Sequence, residues 1–336
     1  MRRLSDVVIF AQAHYDIDVH RITELTDKVF KLETSQKAYI LKFANGDDDF
    51  LMKQLYAHKE LPDMVLPIYE TRSGARMAYE GDGFAYLTDY IEQTPMPFEN
   101  KVRDYAKLLE DLHTATEIVT DKNEDEVSWM YAEDYKRLEE NFMRLEAMTS
   151  QYEMKLSRSP FEWQVLMMYP LLYGMYRRSD DAMKRFYRLL GRKKQLPVVM
   201  THGDVNVANV LPGMKKTHLI NFESSAFDIP TNDMLKFLSH YHQSRGTNKT
   251  ITDYLKSQKD PLVVHHFFMR SLCIDLMWLT ENLSGNVLID ISLLNEKLAP
   301  GLIAMSIYDE MNAPKKPTPK AETKSAPKTE ETKPIS

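Results

Sequence analysis

The sequence predicts an α+β protein with two lobes, a small antiparallel β-sheet with one helix and a larger, mostly helical part. Between Lys28 and Thr88, short apolar runs separated by turn residues are typical of strands. Beyond Pro97 the apolar residues recur mainly at helical spacing. One later stretch, residues 196–220, returns to the short apolar runs of strands.

Length and composition limit the class of protein. The chain has 336 residues, of which 43% are hydrophobic and 27% charged, and its formal net charge is −6. These values favour a soluble protein of one large or two modest domains and give no reason to expect nucleic-acid binding. The single cysteine, Cys273, excludes an intramolecular disulfide framework. No apolar run is long enough for a transmembrane segment, and the run after Arg2-Arg3 is too short and too interrupted for a signal peptide.

Residues 1–92 carry the signals of the small lobe. The predicted strands are 28–33, 38–43, 65–69, 75–79 and 84–88, and the predicted helices are 4–15 and 47–59. Strand alternation places Lys42 on the same face as Ile40, opposite Tyr39, Leu41 and Phe43.

The larger lobe is predicted over residues 93–311, because Pro95 and Pro97 prevent a helix from crossing the boundary. Helices are predicted over 105–116, 129–148, from Ser159-Pro160 to about 190 with a break near 179–180, over 231–242 and over 263–283. Residues 312–336 are Lys, Pro, Thr, Glu and Ala with almost no large apolar side chain, and they predict a disordered tail. This tail suits a tether or a merely solubilising segment.

The stretch 199–223 carries the chemistry. Two apolar runs flank a polar loop with the spacing His-Gly-Asp-x-x-x-x-Asn, which begins at His202 and ends at Asn209. A carboxylate at the head of such a loop can accept a proton from a hydroxyl, and an amide oxygen five residues later can bind a divalent cation. Protein kinases use a loop with the same gap between Asp and Asn.

HGDVNVANV, followed by HLINFESSAFDIPTNDMLKFL, resembles the catalytic core of the aminoglycoside phosphotransferase and choline kinase superfamily. More narrowly, it is similar to the CotS-type kinase-like proteins of bacterial spore coats. The resemblance implies a two-lobe protein-kinase-like fold and, for an active member, ATP and Mg²⁺ as cofactors.

The resemblance also implies a role for each matching residue. The implied catalytic residues are Asp204 and His202; the nucleotide-binding residues are Lys42, Tyr90 and Glu92; the metal ligands are Asn209, Asn221 and Glu223; and Asp233 braces the loop from below.

Three parts of the implied site depart from the family pattern. Asn221 stands where the family has its metal-binding Asp, and no glycine-rich loop lies between the first strands. The helix that should supply a Glu to pair with Lys42 has Gln54 at about the right turn, with Glu60 only at its end. Either the pairing with Lys42 is lost or Glu60 replaces the expected Glu. Separately, Glu223 could supply the negative charge missing at residue 221, because residues two apart on a strand share a face.

These departures favour weak or absent phosphotransferase activity, and the resemblance implies a kinase-fold protein associated with the spore coat. Its partners would be spore coat proteins, and it would move from the mother-cell cytoplasm to the coat. The alternative is an active ATP-dependent phosphotransferase that uses Asp204 as base and acts on a hydroxyl of a small-molecule acceptor.

Overall fold

The computed structural model describes residues 2–45, 49–275 and 283–313. In chain order the elements of the small lobe are α1 (Leu4–His14), β1 (Arg21–Thr26), β2 (Val29–Glu33), β3 (Ala38–Asn45), α2 (Asp49–Glu60), β4 (Ala78–Glu80) and β5 (Gly83–Asp89). The protein is α+β, with an antiparallel sheet first and a mostly helical larger lobe after it, as the sequence predicted.

The five strands form one antiparallel sheet in the order β1-β2-β3-β5-β4. Strand alternation separates its two faces as predicted. Leu41 and Phe43 of β3 pack with α1 through Val7 and Ala11, whereas Lys42 points to the opposite face. That second face meets α2 and leaves room for a cleft beside it.

The segment 65–69 does not join this sheet, although the sequence predicted a strand there. Val65 instead makes a single parallel bridge to Leu219 of the larger lobe, and Ile68 is buried beside α2. A short apolar run predicts burial more securely than it predicts strand pairing, and here the burial is achieved by an irregular segment. The predicted strand 75–79 is observed later and shorter, as β4.

The elements of the larger lobe are α3 (Phe98–Thr116), β6 (Ile118–Asp121), α4 (Glu124–Glu153), α5 (Pro160–Lys193), β7 (Gln195–Thr201), β8 (Val210–Pro212), β9 (Thr217–Leu219), β10 (Ala226–Asp228), α6 (Thr231–Tyr241), α7 (Thr247–Ser257), α8 (Pro261–Ser271) and α9 (Val287–Asn312). β7 lies between β6 and β10, while β8 and β9 form a separate hairpin.

α5 continues through residues 179–180, where the sequence predicted a break. Ser179 is fully buried and its hydroxyl donates to the carbonyl of Met269 at 2.8 Å, while Asp180 pairs with Lys184 one turn later. Both polar groups therefore have partners within a continuous helix, and α5 can pack along its length against α4 and α8. The predicted helix 263–283 is observed only in part: α8 ends at Ser271, and the chain at residues 272–275 is not helical. Residues 276–282 lie outside the described part of the chain.

The described helices include none that combines the length and the low polarity needed to cross a membrane. The core of the larger lobe is built from α3, α5, α6 and α8 together with β7, and it supports the loop that follows β7.

Candidate functional site

The loop after β7 is fixed by buried contacts. Gly203 has φ +81°, and a Cβ at this position would lie 2.0 Å from the carbonyl oxygen of Ser224. The carboxylate of Asp233, at the start of α6, accepts hydrogen bonds from the backbone N–H of His202 at 2.7 Å and of Gly203 at 2.9 Å. At position 203 only glycine allows both the positive φ and the close approach to the carbonyl of Ser224.

His202 lies behind the loop and has no exposed surface. Its Nε2 is 2.8 Å from the carbonyl of Ile220, and its Nδ1 is 3.1 Å from the hydroxyl of Tyr105. Burial lowers the pKa of His202 despite these hydrogen bonds. The Nδ1 of His202 also lies 2.9 Å from the carbonyl of Asp204, to which Tyr105 donates. The catalytic role predicted for His202 does not agree with this burial, and the residue positions the loop instead.

Asp233 is the deepest charged group beneath the loop, with 1% of its surface exposed. Its Oδ2 is 3.0 Å from Nε2 of His113, whose Nδ1 is 3.0 Å from the hydroxyl of Tyr254. Burial alone would raise the pKa of Asp233, but the hydrogen bonds from His113 and from the loop amides outweigh it and lower the pKa. Asp233 thus lies where the resemblance implied a bracing aspartate.

A chain of side-chain hydrogen bonds crosses from the loop to the small lobe. Nδ2 of Asn209 donates to Oδ2 of Asp204 at 2.9 Å. Nδ2 of Asn221 donates to Oδ1 of Asn209 at 2.6 Å. The ammonium of Lys42 donates to Oδ1 of Asn221 at 2.9 Å and to Oε1 of Glu223 at 2.5 Å. The structure therefore brings together five of the residues that the sequence placed in one site.

The two ends of this chain determine the orientation of both amides between them. Lys42 can only donate, so the atom of Asn221 that faces it is oxygen, and the atom facing Asn209 is nitrogen. Asn209 must then present oxygen to Asn221 and nitrogen to Asp204, whose carboxylate only accepts. The arrangement satisfies every member, and it requires a donor at residue 221.

Asn221 and Glu223 reach Lys42 by a different route from the one predicted. β9 ends at Leu219, Asn221 has left-handed backbone angles of φ 65° and ψ 65°, and residues 222–224 form a 3₁₀ turn. Asn tolerates the left-handed conformation better than most residues. The two side chains therefore meet Lys42 because the chain turns, and not because they share the face of an extended strand.

A cavity of about 270 Å³ lies between the lobes, next to this chain. Its apolar walls are Leu25, Val29, Ile40, Leu66, Leu211 and Ile220, and Lys42, Tyr90 and Asn221 also line it. The backbone N–H of Tyr90 donates to the carbonyl of Ala38 at 3.2 Å, and its ring lies beside the ammonium of Lys31. Glu92 is exposed and does not line the cavity, so the structure does not bring it to the other predicted nucleotide-binding residues.

The segment that links the lobes contributes Ile91 to this cavity, and within the described ranges its N–H donates to neither a backbone nor a side-chain acceptor. A cavity with mostly apolar walls and a few polar groups suits a planar heterocycle that carries a hydrogen-bond acceptor.

A second cavity, of about 410 Å³, opens beside the first and shares Lys42 with it. Lys28, Lys42 and Lys53 line it together with the carboxylates of Asp49 and Glu223. Lys28 lies in the short turn between β1 and β2, at the place where a glycine-rich loop was sought. Three ammonium groups around one opening suit an anionic, phosphate-like group.

The partner of Lys42 is Glu223, which decides between the two alternatives left open by the sequence. Gln54 is buried and donates weakly to the carbonyl of Leu66 at 3.4 Å, so α2 supplies no carboxylate at this turn. Glu60 lies at the far end of α2, beside Lys59, and lines a different cavity. The pairing expected from α2 is lost, and the larger lobe supplies its replacement.

The oxygens present in this arrangement do not fit Mg²⁺. Oδ1 of Asn209 already accepts from Asn221, Oδ1 of Asn221 accepts from Lys42, and the carboxylate of Glu223 is ion-paired. Among the described residues no group of three or more His, Cys, Asp or Glu side chains is placed to hold a metal ion. Since Mg²⁺ is usually held by one or two carboxylates together with phosphates, the amide at 221 is the decisive departure.

Comparison with solved structures identifies the fold. An aminoglycoside phosphotransferase from Alicyclobacillus acidocaldarius subsp. acidocaldarius aligns over 93% of this chain and 97% of its own, with a TM-score of 0.62 and 14% identity. The chain has a protein-kinase-like fold. A spectinomycin phosphotransferase bound to AMP (TM-score 0.49, 13% identity, 94% and 96% of the two chains) and a choline kinase from Streptococcus pneumoniae (TM-score 0.40, 12% identity, 91% and 98%) are more distant matches. No protein-family model and no curated protein matches the chain.

Several residues of this kinase-like site were not singled out by the sequence. Tyr105 holds the carbonyl of Asp204 at 2.9 Å as well as His202, and Lys28 and Lys53 line the second cavity. The signal for Lys28 was present, because a lysine in the turn between the first two strands replaces the expected glycines. No local signal marked Tyr105, whose role depends on contact with a loop about a hundred residues later in the chain.

Proposed function

We propose that the chain is a kinase-fold protein of the bacterial spore coat whose phosphotransferase activity is weak or absent. One observation carries the loss of activity: the amide of Asn221 donates to Oδ1 of Asn209, at a point where two oxygens would otherwise share a cation. The chain uses a hydrogen bond where phosphoryl transfer requires a positive charge.

The magnitude of this loss supports the proposal. Replacing a carboxylate by an amide removes a full negative charge from a site that must hold Mg²⁺ against phosphates. Losing one such electrostatic contact lowers the rate by about two orders of magnitude or more. Glu223 is ion-paired with Lys42, so the charge that could compensate is already used.

The coat assignment is supported by the resemblance of residues 202–238 to CotS-type kinase-like proteins. The partners would be other coat proteins, reached from the mother-cell cytoplasm. The proposal also includes a boundary between the lobes at 92/93 and a tail from residue 312 that serves as a tether. All but the first two residues of this tail lie outside the described part of the chain.

A second candidate, an active ATP-dependent hydroxyl phosphotransferase, is favoured by one observation. The side chain of Asp204 is exposed, while its backbone carbonyl is held by Tyr105 and Asn209. A positioned and accessible carboxylate is what a base needs. Solved structures of similar fold are named as aminoglycoside and choline kinases, so these two classes of compound are the first acceptors to test.

The test compares wild-type protein with Asp204→Asn in the presence of ATP, Mg²⁺ and each acceptor, with release of ADP as the measurement. We expect the two proteins to give the same background rate, because the wild type lacks an effective cation site. Acceptor-dependent ADP release that disappears in Asp204→Asn would establish the second candidate instead.

The coat assignment needs its own measurement. In a spore-forming host that expresses the chain, an antibody against it should recover the protein with the extracted coat fraction. Recovery only in the soluble mother-cell fraction would contradict the assignment and leave the prediction on activity untouched.

A further inference from the structure

We propose that the cleft binds a nucleoside di- or triphosphate without a divalent cation, with the Asn221 amide and a group of lysines replacing the metal. This inference rests on the proposed loss of activity. It assigns to the same site a nucleotide that is bound without Mg²⁺. It is carried by the hydrogen-bond chain from Asp204 to Lys42 and by the charges of the two cavities.

The first step concerns what residue 221 must be. Oδ1 of Asn209 and the facing atom of residue 221 are 2.6 Å apart, which is a hydrogen bond only if one of them carries a proton. An aspartate at 221 would place two acceptors against each other at this distance, and a cation would be needed to join them. With Asn221 the contact is complete, so the site keeps its shape with no metal.

The second step concerns the charge of the phosphates. Lys28, Lys42 and Lys53 supply three positive charges to the second cavity, against two negative charges from Asp49 and Glu223. No ion pair joins Lys28 to any other residue in the described ranges, and its side chain is exposed at the mouth of the cavity. Counted over the described residues that line it, the cavity therefore has one positive charge in excess before any cation is added.

The third step concerns the exchange at Lys42. The Lys42 ammonium is 18% exposed, and its partner Glu223 is 49% exposed. A phosphate oxygen can replace the Glu223 carboxylate on Lys42, and Glu223 returns to water at little cost because it is already half solvated. Lys42 remains held in place by Oδ1 of Asn221 during this exchange.

The fourth step concerns the rest of the ligand. The apolar cavity of about 270 Å³ adjoins the lysine-lined cavity through Lys42, and Ile91 of the segment between the lobes also lines it. A planar base in the apolar cavity and phosphates among the lysines match the order of groups in a nucleotide. The chemistry of the two cavities thus selects a nucleotide over a simple anion or a simple apolar ligand.

The test is calorimetric titration of the protein with ATP, once in excess EDTA and once in excess MgCl₂. We expect wild-type dissociation constants that agree within about threefold. In Asn221→Asp, binding in EDTA should be weaker than in MgCl₂ by about tenfold or more, because the new carboxylate requires the cation.

Asn206→Asp is the matched control, since it adds the same charge to the same loop without entering the hydrogen-bond chain. The Asn206 side chain is exposed and accepts from the N–H of Ala208, which an aspartate can do equally well. This variant should bind ATP as the wild type does in both conditions. Lys28→Ala should weaken binding by about tenfold with and without Mg²⁺.

Three results would overturn the inference: wild-type binding that requires Mg²⁺, no wild-type binding in either condition, or equal metal dependence in Asn206→Asp and Asn221→Asp. None of these depends on phosphoryl transfer. A failure here is therefore distinct from a failure of the proposed function, which would appear as acceptor-dependent ADP release.

Discussion

At the scale of single residues, Asp233 holds the loop in place more than any group that faces the cleft. One carboxylate accepts from two backbone N–H groups of the loop and from the ring of His113, with almost no access to water. An isosteric amide cannot serve all three donors, because one of its two atoms is itself a donor.

Asp233→Asn should therefore lower the free energy of unfolding by about 3 kcal/mol or more. Urea denaturation followed by circular dichroism measures this change. Asp253→Asn is the control, because Asp253 is exposed and, among the residues that the structure describes, pairs only with Lys249 one turn away. A loss of similar size in both variants would show that the buried contacts of Asp233 are not the cause.

The sequence brought Asp204, Asn209, Asn221 and Lys42 to one site because a loop motif and a strand lysine are local patterns. It could not predict that Lys42 pairs with Glu223, since these residues are 181 positions apart and the alternative partners lay on α2. It also could not show that His202 faces inward, because burial depends on Tyr105 and Ile220 from other elements.

At the scale of elements, the two longest helices begin with matching caps. Asn123 starts α4 and Ser159 starts α5, and each exchanges hydrogen bonds with a glutamate three residues later. The Ser159 side chain accepts from the N–H of Glu162 at 3.3 Å, and the Glu162 carboxylate accepts from the N–H of Ser159 at 2.7 Å. The start of α5 at Ser159-Pro160 was predicted from the sequence, because a capping box spans only four residues. The start of α4 was predicted too late, at residue 129, and its Asn123 cap was missed.

Ser159→Ala should cost about 1 kcal/mol of stability, since it leaves a helix N–H without its acceptor. The matched control is Ser157→Ala, two residues earlier in the exposed connection between α4 and α5. Thermal denaturation should show a lower melting temperature for Ser159→Ala than for the wild type, and an unchanged melting temperature for Ser157→Ala. Equal melting temperatures would mean that water replaces the cap without loss.

Elements whose limits depend on distant contacts were predicted less well. The run 65–69 was assigned to the sheet, but its burial comes from α2 and from a bridge to β9. The break expected at 179–180 is absent because Met269 of α8 accepts the hydroxyl proton of Ser179. In both cases a tertiary partner overrides the local preference.

At the scale of the whole molecule, the two lobes are joined by polar contacts as well as by the connecting segment. Lys42 reaches Asn221 and Glu223, and Asp63 after α2 pairs with Lys216 before β9. The fold class was predictable because strand periodicity predominates before Pro97 and helical periodicity after it, apart from residues 196–220. The relative placement of the lobes was not, because it depends on these long-range pairs.

The molecule should also lose stability in mild acid through a buried histidine. His266 lies between α6 and α5, beside Thr231 and Phe186, with 7% of its surface exposed, and burial lowers its pKa to about 3. Below the ordinary pKa of histidine the unfolded chain takes up a proton that the folded ring refuses, so stability falls as pH falls. Between neutrality and about pH 5, this one ring should cost about 2 kcal/mol.

His266→Gln should therefore show a smaller difference in melting temperature between these two pH values than the wild type does. His20→Gln, at an exposed ring, is the control and should retain the wild-type difference. An unchanged difference in His266→Gln would place the acid sensitivity elsewhere in the chain.

Gly203 has a consequence for how such chains are recognised. A methyl group there would collide with the backbone at Ser224, and its left-handed angle disfavours every other residue whether or not any reaction takes place. His202 and Asp233 are likewise held by the demands of folding. A chain of this fold would therefore keep these three residues with or without catalysis, so they cannot distinguish an active kinase from an inactive one, whereas the side chain at position 221 can.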